Sequence, residues 1–197
     1  MTSQVEIVNQ GLGKLGEDFI VALDQDSESA RWMNTFYNPT LRALLRSYNW
    51  NCALARVVLA PLSTAPAFDY LYQFQLPADC IRPILPKKSD WVVEGKKILT
   101  NEGNTLYLRY IRMLEDPNDM DDCFIDVFAC KLAAQGAEKI TQSATKRQLA
   151  EAEFVESMRR AARANAYERI AQDQSESSWV DSRIVGVSYP ETTNAGY

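Results

Sequence analysis

Apolar residues along this chain recur with two different periods, and the switch between them divides it. From Gln4 to Leu15, Val5, Val8, Leu12 and Leu15 fall three and four residues apart, the spacing of one helix face. Ser3 stands where an N-cap belongs, Glu6 completes a capping box, and Gly16 falls where a helix stops. Over 29–48 a broader stripe of Met33, Phe36, Tyr37, Leu41, Leu44, Leu45 and Tyr48 predicts a second helix, which Pro39 should kink or split. A third pattern covers 121–143, with Phe124, Val127, Phe128, Leu132 and Ile140 on one face. A fourth, alanine-rich, covers 145–173, with Leu149, Ala152, Val155, Met158 or Ala162, Ala166 and Ile170 as the expected core face.

Between 53 and 113 the period shortens to two, and the stretch reads as β. "ALARVVLAPL" is one candidate strand, and in "FDYLYQFQLP" Tyr70, Tyr72 and Phe74 alternate onto one face. "CIRPIL" is short, and Pro83 and Pro86 confine it to an edge or a bulge. "WVVEGKKILT" predicts a hairpin turning at Glu94-Gly95-Lys96, and "NEGN" is a second turn. "TLYLRYIRM" sets Leu106, Leu108 and Tyr110 against Tyr107 and Arg109. The whole predicts an α+β protein. An antiparallel bundle of about four helices carries a β-rich module of hairpins, a small sandwich or barrel, between helices two and three. Residues 1–173 make the domain, and 174–197 an extended C-terminal arm.

That arm, "QSESSWVDSRIVGVSYPETTNAGY", is polar yet keeps Trp179, Ile184, Val185, Val187 and Tyr189. A purely disordered tail usually lacks such residues. Spaced apolar anchors fit a segment that orders against a partner or one that folds back on its own domain. Trp179, Arg183, Ile184, Val187 and Tyr189 are the candidate docking residues.

Two motifs invite chemistry. In "QGLGKLGED", Gly11, Gly13 and Gly16 match a dinucleotide-binding turn, and Val5 to Val8 precede them as a strand would. The context argues otherwise, because these glycines lie inside and at the end of a helical pattern. About twenty residues past the last glycine, where a ribose-binding carboxylate belongs, stand Phe36 to Thr40. The acids of Glu115 to Asp122 suggest calcium, but counted from Asp116 the sixth position is Asp121, not glycine, and the twelfth is Val127, not glutamate. A turn at Asp116-Pro117, with Asp119 or Asp122 capping the next helix, accounts for them better.

Composition narrows the function further. The 197 residues suffice for one domain with a real core, 46% are hydrophobic and 24% charged, and no apolar run approaches a membrane span. No secretion signal is visible at the N-terminus. With 21 Lys plus Arg against 26 Asp plus Glu the formal charge is −5, the opposite of a protein that grips nucleic acid. Histidine is absent, which removes the commonest acid–base group near neutral pH and the commonest metal ligand. Cys52, Cys80, Cys123 and Cys130 form no C-x-x-C pair and read as reduced, mostly buried thiols. Arg159, Arg160, Arg163 and Arg169 are diluted by Glu151, Glu153, Glu156 and Glu168, so the fourth helix presents a solvated or inter-subunit face. No catalytic, cofactor or metal site is expected.

"FDYLYQFQLPADCIRPI" resembles the aromatic strand ending in L-P-x-D-C-[LI]-R of the head-to-tail adaptors of tailed bacteriophages, the tail tubular protein A (gatekeeper) family of short-tailed phages. Other stretches resemble that family in the same order: "LGKLGED", "LLRSYNWNCALAR", "DWVVEGKKILTN", "LYLRYIRMLEDPNDMDDCFIDVFACKLAAQGAEKITQS" and "SSWVDSR". Pro39 departs from the pattern. The resemblance implies a non-enzymatic virion protein at the capsid–tail junction, made in the host bacterial cytoplasm. It implies a ring, typically of about twelve copies, with side-to-side contacts that close by rotation. Its implied partners are itself, the portal protein, the tail nozzle (tail tubular protein B-like), and double-stranded DNA that passes through the channel without sequence-specific binding. The C-terminal arm would contact the portal. The alternative is a monomeric tail-completion or assembly protein that binds one partner.

Overall fold

The computed structural model describes residues 2–84, 90–103 and 105–168. Among these residues the fold is α+β, with four α-helices and two three-stranded antiparallel sheets. Helix α1 (Gln4–Leu15) begins at Ser3, whose hydroxyl accepts from the Glu6 amide while the Glu6 carboxylate accepts from the Ser3 amide. It ends at Gly16, whose φ of 68° suits a residue without a Cβ. Helix α2 (Glu28–Ser47) starts from Ser27 and continues through Pro39 as one helix, so of the expected kink or split the split does not occur. Pro39 lies on the exposed side, where a lost helical hydrogen bond is cheapest. Phe36 sits at the edge of the buried stripe and stacks on Trp32 with ring centroids 4.5 Å apart.

The chain then enters the β module. Strands β1 (Leu54–Leu59), β6 (Leu106–Arg112) and β3 (Cys80–Ile84) form the first sheet, in the order β1-β6-β3. Strands β2 (Tyr72–Gln75), β5 (Lys97–Thr100) and β4 (Trp91–Glu94) form the second, in the order β2-β5-β4. β3 is an edge strand with a register shift between Cys80 and Arg82, as expected from Pro83, while Pro86 lies outside the described residues. The β4–β5 hairpin turns at Gly95, with φ 59°. Because side chains alternate along a strand, Leu106, Leu108 and Tyr110 all point one way. They meet Phe74 and Ile98 of the second sheet in a small sandwich core. Tyr72 and Phe74 take the inward positions expected of them, whereas Tyr70 precedes the strand.

A 3-10 turn (Pro117–Asp119), capped by Asp116, leads into α3 (Asp122–Thr141). The cap of α3 is Asp121, not Asp119 or Asp122: its carboxylate accepts from the Cys123 amide at 2.9 Å. Asp119 instead pairs with Arg112 at 3.0 Å. Helix α3 is buried on most of its circumference, because α1, α2 and α4 (Ala144–Tyr167) all pack on it. One large core joins these helices to Trp50, Ala53, Ile111 and Leu114, so the base of the first sheet and the bundle share their burial.

The face of α4 corrects the sequence expectation. Its buried residues are Ala150, Ser157, Ala161 and Asn165, with Phe154 and Met158 partly buried beside them. Leu149 and Val155, expected inside, are 66% and 47% exposed, and Ala152 is also outside. Small side chains on α3 and α4 set a close interface, and the longer aliphatics are turned away from it. Residues 169–173 of the expected fourth helix, Ile170 among them, lie outside the described residues.

Candidate interaction surfaces

The arm residues Trp179, Arg183, Ile184, Val187 and Tyr189 lie outside the described residues. The described chain stops at Glu168, whose carboxylate accepts from Asn51 Nδ2 at 2.8 Å. One turn earlier, Asn165 accepts from the Asn51 amide at 2.7 Å and donates to the Asn49 carbonyl at 3.0 Å. The C-terminus of α4 is thereby fixed to the segment that feeds β1, at the junction of bundle and sheet.

Of the glycines of "QGLGKLGED", Gly11 and Gly13 lie inside α1 and Gly16 is its left-handed cap, as the periodicity required. Gly11 faces α3 so closely that a Cβ there would lie 3.1 Å from the Ala129 carbonyl oxygen. Its role is to let two helices approach. Next to it, Lys14 clamps three helices: its ammonium lies 3.0 Å from Asp126 on α3 and 2.7 Å from Glu153 on α4. Burial by itself would lower the Lys14 pKa, but hydrogen bonds to Glu153 and Asp126 outweigh it and hold the group well above an ordinary lysine. Arg160 reaches Asp126 at 3.3 Å, and Glu156 meets Arg159 at 3.7 Å. Two of the basic residues of α4 are thus engaged with acids of the bundle.

The cysteines are all free, and Cys130 alone is fully buried. Cys123 is exposed, against the expectation of a mostly buried set. Its pKa is raised first by partial burial and then by Asp121, and the other three thiols are raised chiefly by burial. Elevated thiols are poor nucleophiles at neutral pH. Among the described residues no helix is long and apolar enough to cross a membrane.

Several large apolar side chains remain uncovered. The α1–α2 loop exposes Phe19 (68%) and Val21 (88%). The outer face of the first sheet exposes Val58 and Tyr107, which are cross-strand partners. The β1–β2 connection exposes Phe68 and Leu71 beside a shallow cleft of about 290 Å³ lined by Tyr70, Gln73, Glu94, Lys97 and Leu99. α4 adds Leu149, Val155 and Tyr167. Single exposed apolar residues are ordinary, but neighbouring uncovered apolar groups on a loop, a sheet face and a helix are candidate contact surfaces. Sequence periodicity could not find them: Leu149 and Val155 read as core, Phe68 opens a stretch read as an alternating strand, and Phe19 falls in a stretch without a period.

No protein-family model matches the chain, and no curated protein matches it in sequence.

Proposed function

We propose that this protein is the head-to-tail adaptor of a tailed-phage virion, a structural ring that joins the portal to the tail nozzle around the DNA channel. The observation that carries this reading is the layout. A β module interrupts a helical bundle between its second and third helices, in the order in which the adaptor-like motifs occur along the chain. "LGKLGED" spans the end of α1, "LLRSYNWNCALAR" the end of α2 and the entry to β1, and "DWVVEGKKILTN" the β4–β5 hairpin. Uncovered apolar groups on the loop, sheet and helix faces give further support, since a part that tiles against copies and mates with two neighbours needs several contact surfaces. A net charge of −5 suits a channel through which DNA must slide, because each neutralised phosphate would add salt-dependent affinity.

Sedimentation with portal protein tests this. A ring-sized complex is expected, and a small one-to-one complex would favour the monomeric assembly protein instead. A chain lacking 175–197 should stay folded and lose portal docking. If it binds portal as well as the full chain does, the arm has no docking role.

A further inference from the structure

We propose that the outer face of β1 and β6 receives the acidic α1–α2 loop of a second copy of this chain. The inference deepens the ring reading, and rests on it only for the statement that such contacts close. Arg56 and Arg109 are direct cross-strand partners, and both are exposed. Among the described residues neither has an ion pair, although ten are formed elsewhere. Like charges placed directly opposite weaken a strand pair, so this rung is held together in spite of its side chains and is eased by an anion. Two residues along each strand, hence on the same face, the next rung is Val58 and Tyr107, 59% and 75% exposed. At its other end this face carries Leu54 and Ile111 into the main core. The bare region begins where the helices stop covering the sheet.

The α1–α2 loop has the complementary set. Asp18 and Asp24 are exposed and without an ion pair among the described residues, and between them stand Phe19 and Val21. Its other acids are already engaged, Glu17 by Lys146 and Asp26 by Arg31. Two free carboxylates around two bare apolar groups face two free guanidinium groups beside two bare apolar groups. Arginine suits this role, since its fork binds a carboxylate bidentately.

One copy does not satisfy itself. The loop enters the N-terminus of α2, while the C-terminus of α2 meets the first sheet, where Arg46 donates to the Ile81 carbonyl. The 20 residues of α2 hold the two ends about 30 Å apart. A contact between two different patches is heterologous, the kind that generates a closed ring or an open filament.

The test mixes two full-length variants, Arg56→Glu/Arg109→Glu and Asp18→Arg/Asp24→Arg. Alone, each brings like charges together. Self-association, read by sedimentation velocity at about 1 mM, where even a millimolar contact is half populated, is expected to weaken at least about tenfold. The equimolar mixture should regain wild-type association, because unreversed patches then pair with each other and reversed patches do likewise. All chains should keep the wild-type melting curve. A benzophenone side chain in place of Tyr107 should crosslink to residues 17–26 of an isotopically distinct copy. The proposal is overturned if the wild-type chain does not associate at that concentration, if either variant associates like it, or if the mixture is no better than its components. Crosslinks to another surface, to 174–197 or to added duplex DNA also overturn it. A portal-bound ring with other contacts sinks this interface alone. A confirmed interface in a chain that ignores portal sinks the adaptor reading alone.

Discussion

Gly11 and Gly13 lie two residues apart in α1, so replacing each with alanine gives a matched pair. In a helix interior alanine is favoured over glycine by about 1 kcal/mol, and both substitutions start with that gain. Their surroundings differ. At Gly11 a new Cβ would sit 3.1 Å from the Ala129 carbonyl oxygen and 3.8 Å from Leu132 Cβ and the Ala133 nitrogen, all on the central helix. That helix is pinned from other sides by α2 and α4 and cannot retreat without disturbing the main core. Overpacking of this kind costs about 1–3 kcal/mol, which cancels or exceeds the gain. At Gly13 the new Cβ would meet the Phe19 ring at 3.2 Å, a side chain 68% exposed and free to swing away. There most of the propensity gain should survive. Gly11→Ala is therefore expected to be destabilised by about 1 kcal/mol and Gly13→Ala stabilised by up to about 1 kcal/mol. The gap of about 2 kcal/mol corresponds to roughly 4–8 °C in melting temperature for a chain of this size. Urea titration of the two variants beside wild type, with the slope m checked for constancy, measures it. A Gly11→Ala protein as stable as Gly13→Ala would refute the close α1–α3 approach and reopen the question of what those glycines do.

Three further outcomes follow from buried and half-buried polar groups. Tyr37 is 3% exposed, its hydroxyl is buried without a hydrogen-bond partner among the described residues, and burial pushes its pKa up to about 12. Tyr37→Phe keeps the edge-on packing against Phe128 and should raise stability by about 1 kcal/mol in a urea titration; a loss would mean the hydroxyl is satisfied. Asn165→Ala removes two bonds that hold Asn49 and Asn51, and should cost about 1–3 kcal/mol. It should also speed amide exchange at the start of β1, and unchanged protection there would show that the tie is dispensable. For Lys14, the folded-state pKa lies above the unfolded value, so its ion pairs contribute fully below about pH 10.4 and weaken as pH rises past it. The stability difference between wild type and Lys14→Met should be flat from about pH 7 to 9 and shrink in alkali; a difference that shrinks in that neutral window would assign it to another group.

Local rules fixed much of this fold in advance. The Ser3–Glu6 box, the Gly16 stop, the Gly95 turn and the β3 bulge depend on a few adjacent residues, and each is where the sequence put it. The alternation of Leu106, Leu108 and Tyr110 likewise named the inward face of β6, because a strand has only two faces. Helix α4 has no such binary choice. Apolar residues recur on more than one of its faces, and the wider face, with Leu149 and Val155, was the natural core by periodicity. Only the packed structure shows that α3 selects the narrow side of Ala150, Ser157 and Ala161, since close helix approach rewards small side chains over long ones. The pairing of Arg56 with Arg109, and the placement of Asp18 and Asp24 at the far end of α2, were equally hidden. Each joins residues distant along the chain, through strand register and helix length, and no local pattern records such distances.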